Sequence, residues 1–321
     1  MRLVPALAAA GLEQCAVIRR DRARAERLGA AGVGVVEVAF GGALDRASRR
    51  RFRRAIADFA PSVVMTWMNR ATRHCPSGEF VHVVRLGGYY DPKYYRRCDH
   101  LVANTADIRR YLIAAGWAED RVHYLPNFVE AASAPPLPRA GLGTPEDAPL
   151  ILGLGRLHPN KAFDVLLAAL DRLPAAYLWL AGAGPAEGAL GAMAARLGLA
   201  ERVRFLGWRE DVAALLAAAD VLVCASRHEP LGNVVIEAWA QRVPVVAAAS
   251  QGPAALITDG ESGLLVPPED AAALAEAIAR VLDDPALAAR LAEAGHAAFA
   301  ARYSEAAVVP RYLDFFAGLA R

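Results

Sequence analysis

Short apolar segments alternate with longer segments of mixed polarity along the whole chain. Runs rich in Val, Ile and Leu that end at Gly, Pro or Asp are typical of buried strands, and the segments between them have helical spacing of their apolar positions. This alternation predicts βαβ units, and therefore parallel sheets with helices on their faces. In the first half it predicts strands at 15–18, 33–38, 62–67, 80–84, 100–103 and 122–125, and helices at 22–31, 48–59 and 107–115.

The alternation stops in the middle of the chain and then resumes. Residues 131–148 are rich in Ala and Pro and have no hydrophobic period, which indicates an interdomain linker. We therefore expect two doubly wound, Rossmann-like α/β domains of similar size, with a ligand cleft between them. In the second half the pattern predicts strands at 150–153, 177–181, 203–206, 221–224, 243–247 and 264–266, and helices at 162–173, 185–197, 212–218, 233–241 and 270–281.

The predicted parts are an N-terminal domain at 1–130, the linker at 131–148, a C-terminal domain at 149–304 and a closing helix at 305–321 that packs back on the first domain. Such a domain usually opens with a strand and a glycine-rich turn. The first ten residues instead look like the end of a helix before Gly11, so the first strand is missing from the pattern. Either the start of the chain is truncated or wrongly assigned, or this domain has lost one edge of its site.

The composition agrees with a folded protein of about two domains. The chain has 321 residues, of which 55% are hydrophobic and 22% are charged, which excludes disorder over the whole length. No uncharged stretch provides the ~18 apolar residues that a membrane span requires. Residues 1–11 lack the layout of a signal peptide. Four cysteines without a CxxC pair favour a reducing compartment, so we expect a cytoplasmic location.

Positive charge is concentrated in the N-terminal half. Residues 1–140 contain 22 basic and 13 acidic residues, whereas residues 141–321 contain 14 and 21. Two interpretations of the densest basic segment stay open. It contacts an anionic partner, such as the inner face of a membrane, an acidic glycan or nucleic acid, or it is a solvated helix face whose apolar stripe faces the core. This arginine cluster consists of Arg46, Arg49, Arg50, Arg51, Arg53 and Arg54, and its stripe of Phe52, Ala55, Ile56 and Phe59.

The segment 229–237 carries the clearest chemistry. It follows a predicted strand and leads into a helix that begins near Asn233, so Glu229 lies in a loop at the carboxyl end of a strand, where open α/β sheets bind ligands. The amides of Leu231, Gly232 and Asn233 then lie at the positive end of the helix, which suits an anion such as a diphosphate. The carboxylates of Glu229 and Glu237 suit sugar hydroxyls on either side. Alternatively, they are surface glutamates at an ordinary helix start.

Two glycine turns follow the first two strands of the second half. Gly155 is followed by Arg156 and Lys161, whose charged groups suit a diphosphate. Plain turn geometry is the alternative for this turn, and it is the preferred interpretation for the second turn, at Gly182 and Gly184. No GxGxxG with an acid ~20 residues later occurs in the expected place, and no Walker A motif occurs, which disfavours nicotinamide cofactors and P-loop chemistry.

Taken together, these segments resemble the family-four retaining glycosyltransferases, the glycosyl transferases group 1, which have the two-domain GT-B fold. The resemblance is specific in the second half and thinner in the first, where it rests on 103–105 and 125–127. In the second half it rests on 155–157 with Lys161 and Asp164, and on 180–185, 203–207, 219–220 with Ser226, 229–237, 244–247 and 263–266.

The resemblance implies a nucleotide-sugar donor held mainly by the second domain. Arg156 and Lys161, beside Gly155, would hold the diphosphate, and Glu229 would bind hydroxyls of the donor sugar. We take Glu229, Arg156 and Lys161 as the candidate catalytic residues. Further donor contacts would come from Glu237 at the ribose, the backbone near Trp208 and Arg209 at the base, and the amides of Leu231, Gly232 and Asn233 at the phosphates.

The same resemblance implies retention of the anomeric configuration. The donor substrate would be a UDP- or GDP-sugar, with no further cofactor and no divalent metal, and the sequence contains no Asp-x-Asp metal clamp. His74 and Cys75 with Cys98 and His100 could be drawn as a zinc site, but their spacing matches no common pattern, so we expect no metal.

The first domain departs from the family pattern. Family members often place a His-Gly or His-Asp pair after the fourth strand, but here Arg85 and a Gly-Gly turn occupy that stretch. His82 lies one or two positions early and is expected to pack or to face solvent. Arg85, Tyr89, Tyr90 and Asp91 either line the cleft or flank a structural turn.

Three functions follow from these observations as hypotheses. The first is a glycosyltransferase that moves a hexose-type sugar from a nucleotide-sugar donor to a cell-envelope or other glycan acceptor, including a lipid-linked one. It would have no nucleic-acid partner, and under the anionic-partner interpretation the arginine cluster would contact the membrane peripherally. The second is a non-catalytic nucleotide-sugar-binding protein, suggested by the incomplete first domain. The third is a nucleotide-sugar epimerase on the same fold, disfavoured because no acid/base residues for it can be placed.

Overall fold

A computed structural model describes residues 2–42, 45–130 and 134–319. The chain divides into a first unit, Met1–Phe128 with Glu305–Arg321, and a second unit, Val129–Ser304. Every strand pair in the described sheets is parallel. The prediction of an α/β fold built from parallel sheets is therefore confirmed.

The first unit contains two parallel sheets in the described part of the chain, one of two strands in the order β1-β2 and one of four in the order β3-β4-β5-β6. Its first described element is a helix, and Gly11 after it adopts a positive φ of 89°. The strands are β1 Cys15–Arg19, β2 Gly34–Val38, β3 Val63–Trp67, β4 Val81–Leu86, β5 His100–Ala103 and β6 Val122–Tyr124. The helices are α1 Leu3–Ala9, α2 Arg22–Ala30, α3 Arg46–Phe59, α4 Met68–His74 and α5 Ala106–Ala114.

Helix α3 carries the arginine cluster. All six arginines are exposed, whereas Phe52 and Ala55 on the opposite side of the helix are buried. Phe52 packs with Val38 and Val64, and Ile56 packs against the same cluster. The predicted apolar stripe thus faces the core, which is the packing expected for a solvated arginine face.

Among the described residues of the second unit, the strands form one six-stranded parallel sheet in the order β12-β11-β10-β7-β8-β9. The order reverses between β7 and β10, and in doubly wound sheets ligands bind at the carboxyl ends of the strands at such a switch point. The strands are β7 Leu150–Leu154, β8 Tyr177–Ala181, β9 Val203–Gly207, β10 Val221–Cys224, β11 Val245–Ala248 and β12 Leu264–Val266. The helices are α6 Phe163–Leu170, α7 Glu187–Arg196, α8 Val212–Ala218, α9 Asn233–Ala240, α10 Gln251–Leu256, α11 Ala271–Asp283 and α12 Pro285–Arg302.

The sequence pattern did not predict three of the described helices, one in the first unit and two in the second. Helix α4 begins at Met68 directly after β3. Met68 has a positive φ of 57°, and no Gly, Asn or Asp at this position indicates such a conformation in the sequence. Helix α10 contains Gly252 and Pro253, a pair that is typical of a turn. Helix α12 is so rich in alanine that its apolar face has no clear period.

The C-terminal segment forms the helix α13 Glu305–Leu319 and belongs to the first unit. Val308 and Tyr312 are fully buried and pack with Val83 and Val102 of the four-stranded sheet. Residues 320 and 321 of the predicted closing helix lie outside the described residues.

The predicted linker packs on the second unit over the part that the structure describes, 134–148. Arg139 donates to the carbonyl of Ala218 at 2.7 Å and forms an ion pair with Asp220 at 2.8 Å, and Trp179 donates its indole hydrogen to Thr144 at 2.9 Å. Residues 131–133 lie outside the described residues. No helix in the described ranges is both long and apolar enough to cross a bilayer.

Gly295 is expected to be indispensable where α12 crosses α9. A Cβ atom at this position would lie 2.3 Å from the Trp239 ring, which is fully buried. Gly295→Ala should therefore lower the free energy of unfolding by about 1–3 kcal/mol through overpacking. Urea denaturation followed by circular dichroism measures the change.

Gly191→Ala in α7 is the matched control, because no atom would lie within 4 Å of the new Cβ. Replacing a helical glycine there should raise stability by about 0.5–1 kcal/mol. Equal stability changes for the two variants would show that the α9–α12 contact does not require glycine.

Candidate functional site

The loop after β10 turns sharply into α9. Gly232, the N-cap of α9, has a φ of 84°, a conformation that favours glycine, and the helix begins at Asn233 as the sequence predicted. The amide of Gly232 donates to a carboxylate oxygen of Glu229 at 3.2 Å. Glu229 therefore occupies one of the three amides that the sequence assigned to phosphate. Leu231 is buried and Asn233 is exposed.

Helix α10 packs against this loop. The amide of Gly252 donates to the carbonyl of Glu229 at 2.7 Å, and a Cβ at Gly252 would lie 2.4 Å from the carbonyl carbon of Leu231. Only glycine allows this approach. Sequence reasoning missed the role of Gly252, although the Gly-Pro pair after a buried strand marks a special backbone there.

The two glycine turns after β7 and β8 lie directly against each other. Gly155 donates its amide to the carbonyl of Ala181 at 3.0 Å, and a Cβ at Gly182 would lie 1.8 Å from the Gly155 carbonyl oxygen. A Cβ at Gly184 would lie 2.3 Å from the carbonyl oxygen of Leu157. This packing agrees with the structural interpretation of the second turn, because its glycines allow the two turns to lie in contact.

The structure brings Lys161 and Glu229 together at the switch point. Lys161 ends a short 3₁₀ turn after β7, and its ammonium group forms an ion pair with the Glu229 carboxylate, which follows β10. The two side chains are separated by 68 positions in the sequence, and their exposed fractions are 24% and 12%. Such a half-buried pair is poorly screened by solvent, so the ammonium group is held in a defined place.

Arg227 clamps the loops on which the pair stands. Its guanidinium forms two hydrogen bonds with the Asp164 carboxylate, at 2.8 and 2.5 Å, contacts Glu269 at 2.5 Å and donates to the carbonyl of Pro159 at 2.8 Å. The two hydrogen bonds from Arg227 hold the pKa of Asp164 below its usual range, and those bonds raise the pKa of Arg227. Sequence reasoning missed Arg227, although a basic residue two positions before Glu229 is a visible signal.

The other predicted donor residues have environments of their own. Arg156 is exposed and has no ion-pair partner in the ranges that the structure describes. Arg209 pairs with Asp211 through two hydrogen bonds, at 2.8 and 2.5 Å, and Trp208 beside it is 78% exposed. Glu237 is half-buried in the second turn of α9. Their contacts with a nucleotide stay predictions.

In the first unit the candidate acceptor-side residues have defined partners. His82 is buried and lies 3.0 Å from the Thr66 hydroxyl, so it packs, and burial lowers its pKa. Arg85 donates to the Tyr312 hydroxyl at 2.8 Å and to Asn127.

The remaining candidates of this stretch are also engaged. Tyr89 donates to Asp107, and Asp91 pairs with Lys93 at 2.6 Å. Within the described residues no group of three or more His, Cys, Asp or Glu side chains is placed to hold a metal ion.

Sequence comparison identifies close relatives over nearly the whole chain. The family model of glycosyl transferases group 1 matches residues 138–298. The lipopolysaccharide core biosynthesis glycosyltransferase LpsE of Rhizobium meliloti is 39% identical over 323 residues, covering 99% of this chain and 94% of that protein. LpsD of the same organism is 38% identical, covering 98% of this chain and 93% of its own.

Solved structures share the fold. A glycosyltransferase from Rickettsia africae superposes with a TM-score of 0.88 at 19% identity, covering 99% of this chain and 94% of that one. Anabaena Alr3699/HepE in complex with UDP and glucose superposes with a TM-score of 0.84 at 21% identity, covering 98% and 95%. These likenesses confirm the predicted GT-B fold. Together with the family match and the two relatives, they lead to one conclusion: this chain belongs to the glycosyl transferases group 1.

Proposed function

We propose that the protein is a retaining, metal-independent hexosyltransferase that moves a sugar from a UDP-sugar to a glycan or lipid-linked acceptor of the lipopolysaccharide core. The meeting of Lys161 and Glu229 at the switch point carries this proposal, because it joins a cation for phosphate to a carboxylate for sugar hydroxyls. The names of the relatives LpsE and LpsD support the acceptor class. The complex of Anabaena Alr3699/HepE with UDP and glucose supports the donor.

In this reaction the bond between sugar carbon C1 and the diphosphate oxygen breaks, and C1 bonds to the oxygen of an acceptor hydroxyl. The products are the new glycoside, UDP and a proton. Negative charge grows on the leaving diphosphate, and a cation already held in place stabilises it at little reorganisation cost. Lys161 meets this requirement because Glu229 and the Arg227 clamp fix its loop.

Glu229→Gln should separate chemistry from binding. The amide keeps the shape of the side chain but weakens its hydrogen bonds to sugar hydroxyls and frees Lys161, so turnover should fall about 10- to 100-fold while UDP affinity stays equal or rises. UDP release from UDP-glucose, with and without a truncated lipopolysaccharide core, measures turnover, and calorimetry measures UDP affinity. Full turnover in Glu229→Gln would overturn this role.

Glu237→Ala is the counterpart variant, since it should weaken UDP binding more than it slows turnover at saturating donor. Binding of UDP-glucose by the wild-type protein with no UDP release under any acceptor condition would contradict the transferase proposal. That result would favour the nucleotide-sugar-binding alternative.

Lys161→Ala should weaken UDP binding about 10- to 100-fold, because it removes a charge-assisted hydrogen bond to the diphosphate. Calorimetric titration with UDP and with GDP tests this and identifies the preferred base. Lys93→Ala, at the other lysine of the chain, is the control, because Lys93 is exposed and paired with Asp91 in the first unit. Equal UDP affinity in wild type and Lys161→Ala would remove Lys161 from the site.

We also propose that the arginine cluster touches an anionic membrane. Because the apolar side of α3 is buried, this contact is electrostatic, without insertion of the helix. At about 1 kcal/mol per basic residue, Arg49→Ala/Arg50→Ala/Arg53→Ala should reduce binding to phosphatidylglycerol vesicles by about two orders of magnitude. Sedimentation at low and high salt measures it, and high salt should abolish the wild-type binding.

The triple variant Arg22→Ala/Arg24→Ala/Arg27→Ala in α2 is the matched control, because it removes the same charge from another helix of the first unit. Equal losses in both triple variants would indicate a response to net charge alone. Equal sedimentation with anionic and phosphatidylcholine vesicles would exclude the membrane contact.

A further inference from the structure

The first unit contains a pocket of its own. Its volume is about 810 Å³, within the usual range for small-molecule sites. Its walls come from the carboxyl end of β1, from the segment after β2, from α4 after β3, and from Tyr90 after β4. Ligands of open α/β sheets bind at these strand ends. The lining residues include Arg19, Phe40, Met68, Arg70, Arg73 and His74.

The pocket is strongly basic. Arg19, Arg70 and Arg73 line it, all three are exposed, and none of the described residues that line it is acidic. None of the three guanidinium groups forms an ion pair with a residue that the structure describes. One acidic residue, Asp45, lies at the edge of the pocket: it accepts from the amide of the lining residue Gly41 at 2.7 Å and caps α3, so its hydrogen bonds are made with the backbone and not with the arginines. Positive charges that line one pocket repel one another, and a bound anion would relieve that repulsion.

A buried polar atom beside these arginines also lacks a partner. His74 is 2% exposed, and its Nδ1 lies 2.9 Å from the carbonyl oxygen of Arg70. A carbonyl only accepts, so Nδ1 carries the hydrogen and, in the neutral ring, Nε2 is an acceptor. Nε2 has no hydrogen-bond partner in the described structure. A ligand hydroxyl or a water that it orders would satisfy this nitrogen.

The backbone around the pocket adopts conformations that are uncommon for residues other than glycine. Phe40 has a φ of 46° and Met68 a φ of 57°, and both line the pocket. Such conformations persist only where the surrounding structure holds them in place, and they occur most often at functional sites. Met68 is 48% exposed and accepts from the Tyr90 hydroxyl at 3.2 Å, so the two form a partly apolar wall.

We propose that this pocket binds the acidic group of a saccharide acceptor, a phosphate or a carboxylate, through Arg19, Arg70 and Arg73. The apolar part of the wall can pack against the face of the sugar ring. The guanidinium groups can form paired hydrogen bonds with either kind of oxyanion. The inference deepens the proposed function and rests on it, because it names the chemical class of the acceptor.

Binding of soluble acidic sugars to the full chain tests the proposal, with the donor site saturated by UDP so that added phosphate cannot bind there. Glucose 6-phosphate and glucuronate are the acidic probes, and glucose is the neutral probe. Calorimetry should show at least one acidic sugar binding about 10-fold or more tightly than glucose. Which acid binds distinguishes phosphate from carboxylate, and either supports the proposal. Equal binding of all three sugars, or binding of none, overturns it.

Arg70→Ala/Arg73→Ala should weaken the acidic sugar about 10- to 100-fold. The matched control, Arg49→Ala/Arg50→Ala, removes the same charge from α3 and should leave its affinity within about twofold. UDP affinity should be unchanged in both variants, which shows that they are folded and separates this result from failure of the donor site. Unchanged sugar affinity in Arg70→Ala/Arg73→Ala overturns the proposal. Inorganic phosphate binding as tightly as the sugar phosphate overturns the saccharide assignment.

Discussion

The second unit depends on the backbone approaching itself at positions where a side chain has no room. Gly182 and Gly184 lie against the turn that follows β7, and Gly252 lies against the turn that follows β10. These turns carry Lys161 and Glu229, so the ion pair is placed by backbone packing beneath it. Hydrogen bonds between the turns, such as that from Gly155 to Ala181, form only because the chains can come this close.

The parallel architecture could be predicted because each buried strand is a short, continuous apolar run. Strands β8, β10 and β12 begin and end where the pattern placed them. The carboxyl-end position of Glu229 followed from the same pattern. The proximity of Lys161 to Glu229, 68 positions apart in sequence, did not, because it depends on the pairing of β7 with β10, and strand order is not a local property. Arg227 escaped notice for the same reason, since its partners Asp164 and Glu269 come from other loops.

The positive charge of the first half is distributed over three different environments. The arginine cluster lies on the exposed side of α3, open to solvent or to a partner. Arg85 donates hydrogen bonds to Tyr312 and Asn127 within the unit, so its guanidinium group links β4 to α13 and to the segment after β6. The pocket arginines Arg70 and Arg73 line one concave site and form no ion pair with any residue in the described ranges. A net charge counted along the sequence cannot distinguish these cases, because the difference lies in what each guanidinium contacts.

The first unit is assembled from two distant parts of the chain. Helix α13 places Val308 and Tyr312 in the same cluster as Val83 and Leu125, although all of the second unit is synthesised between them. At about 5–20 residues per second, the ribosome needs roughly 10 to 35 s to make the intervening segment. During this time the four-stranded sheet exposes the apolar surface that α13 later covers. The second unit, by contrast, is continuous in sequence, so its core needs no segment from beyond Ser304.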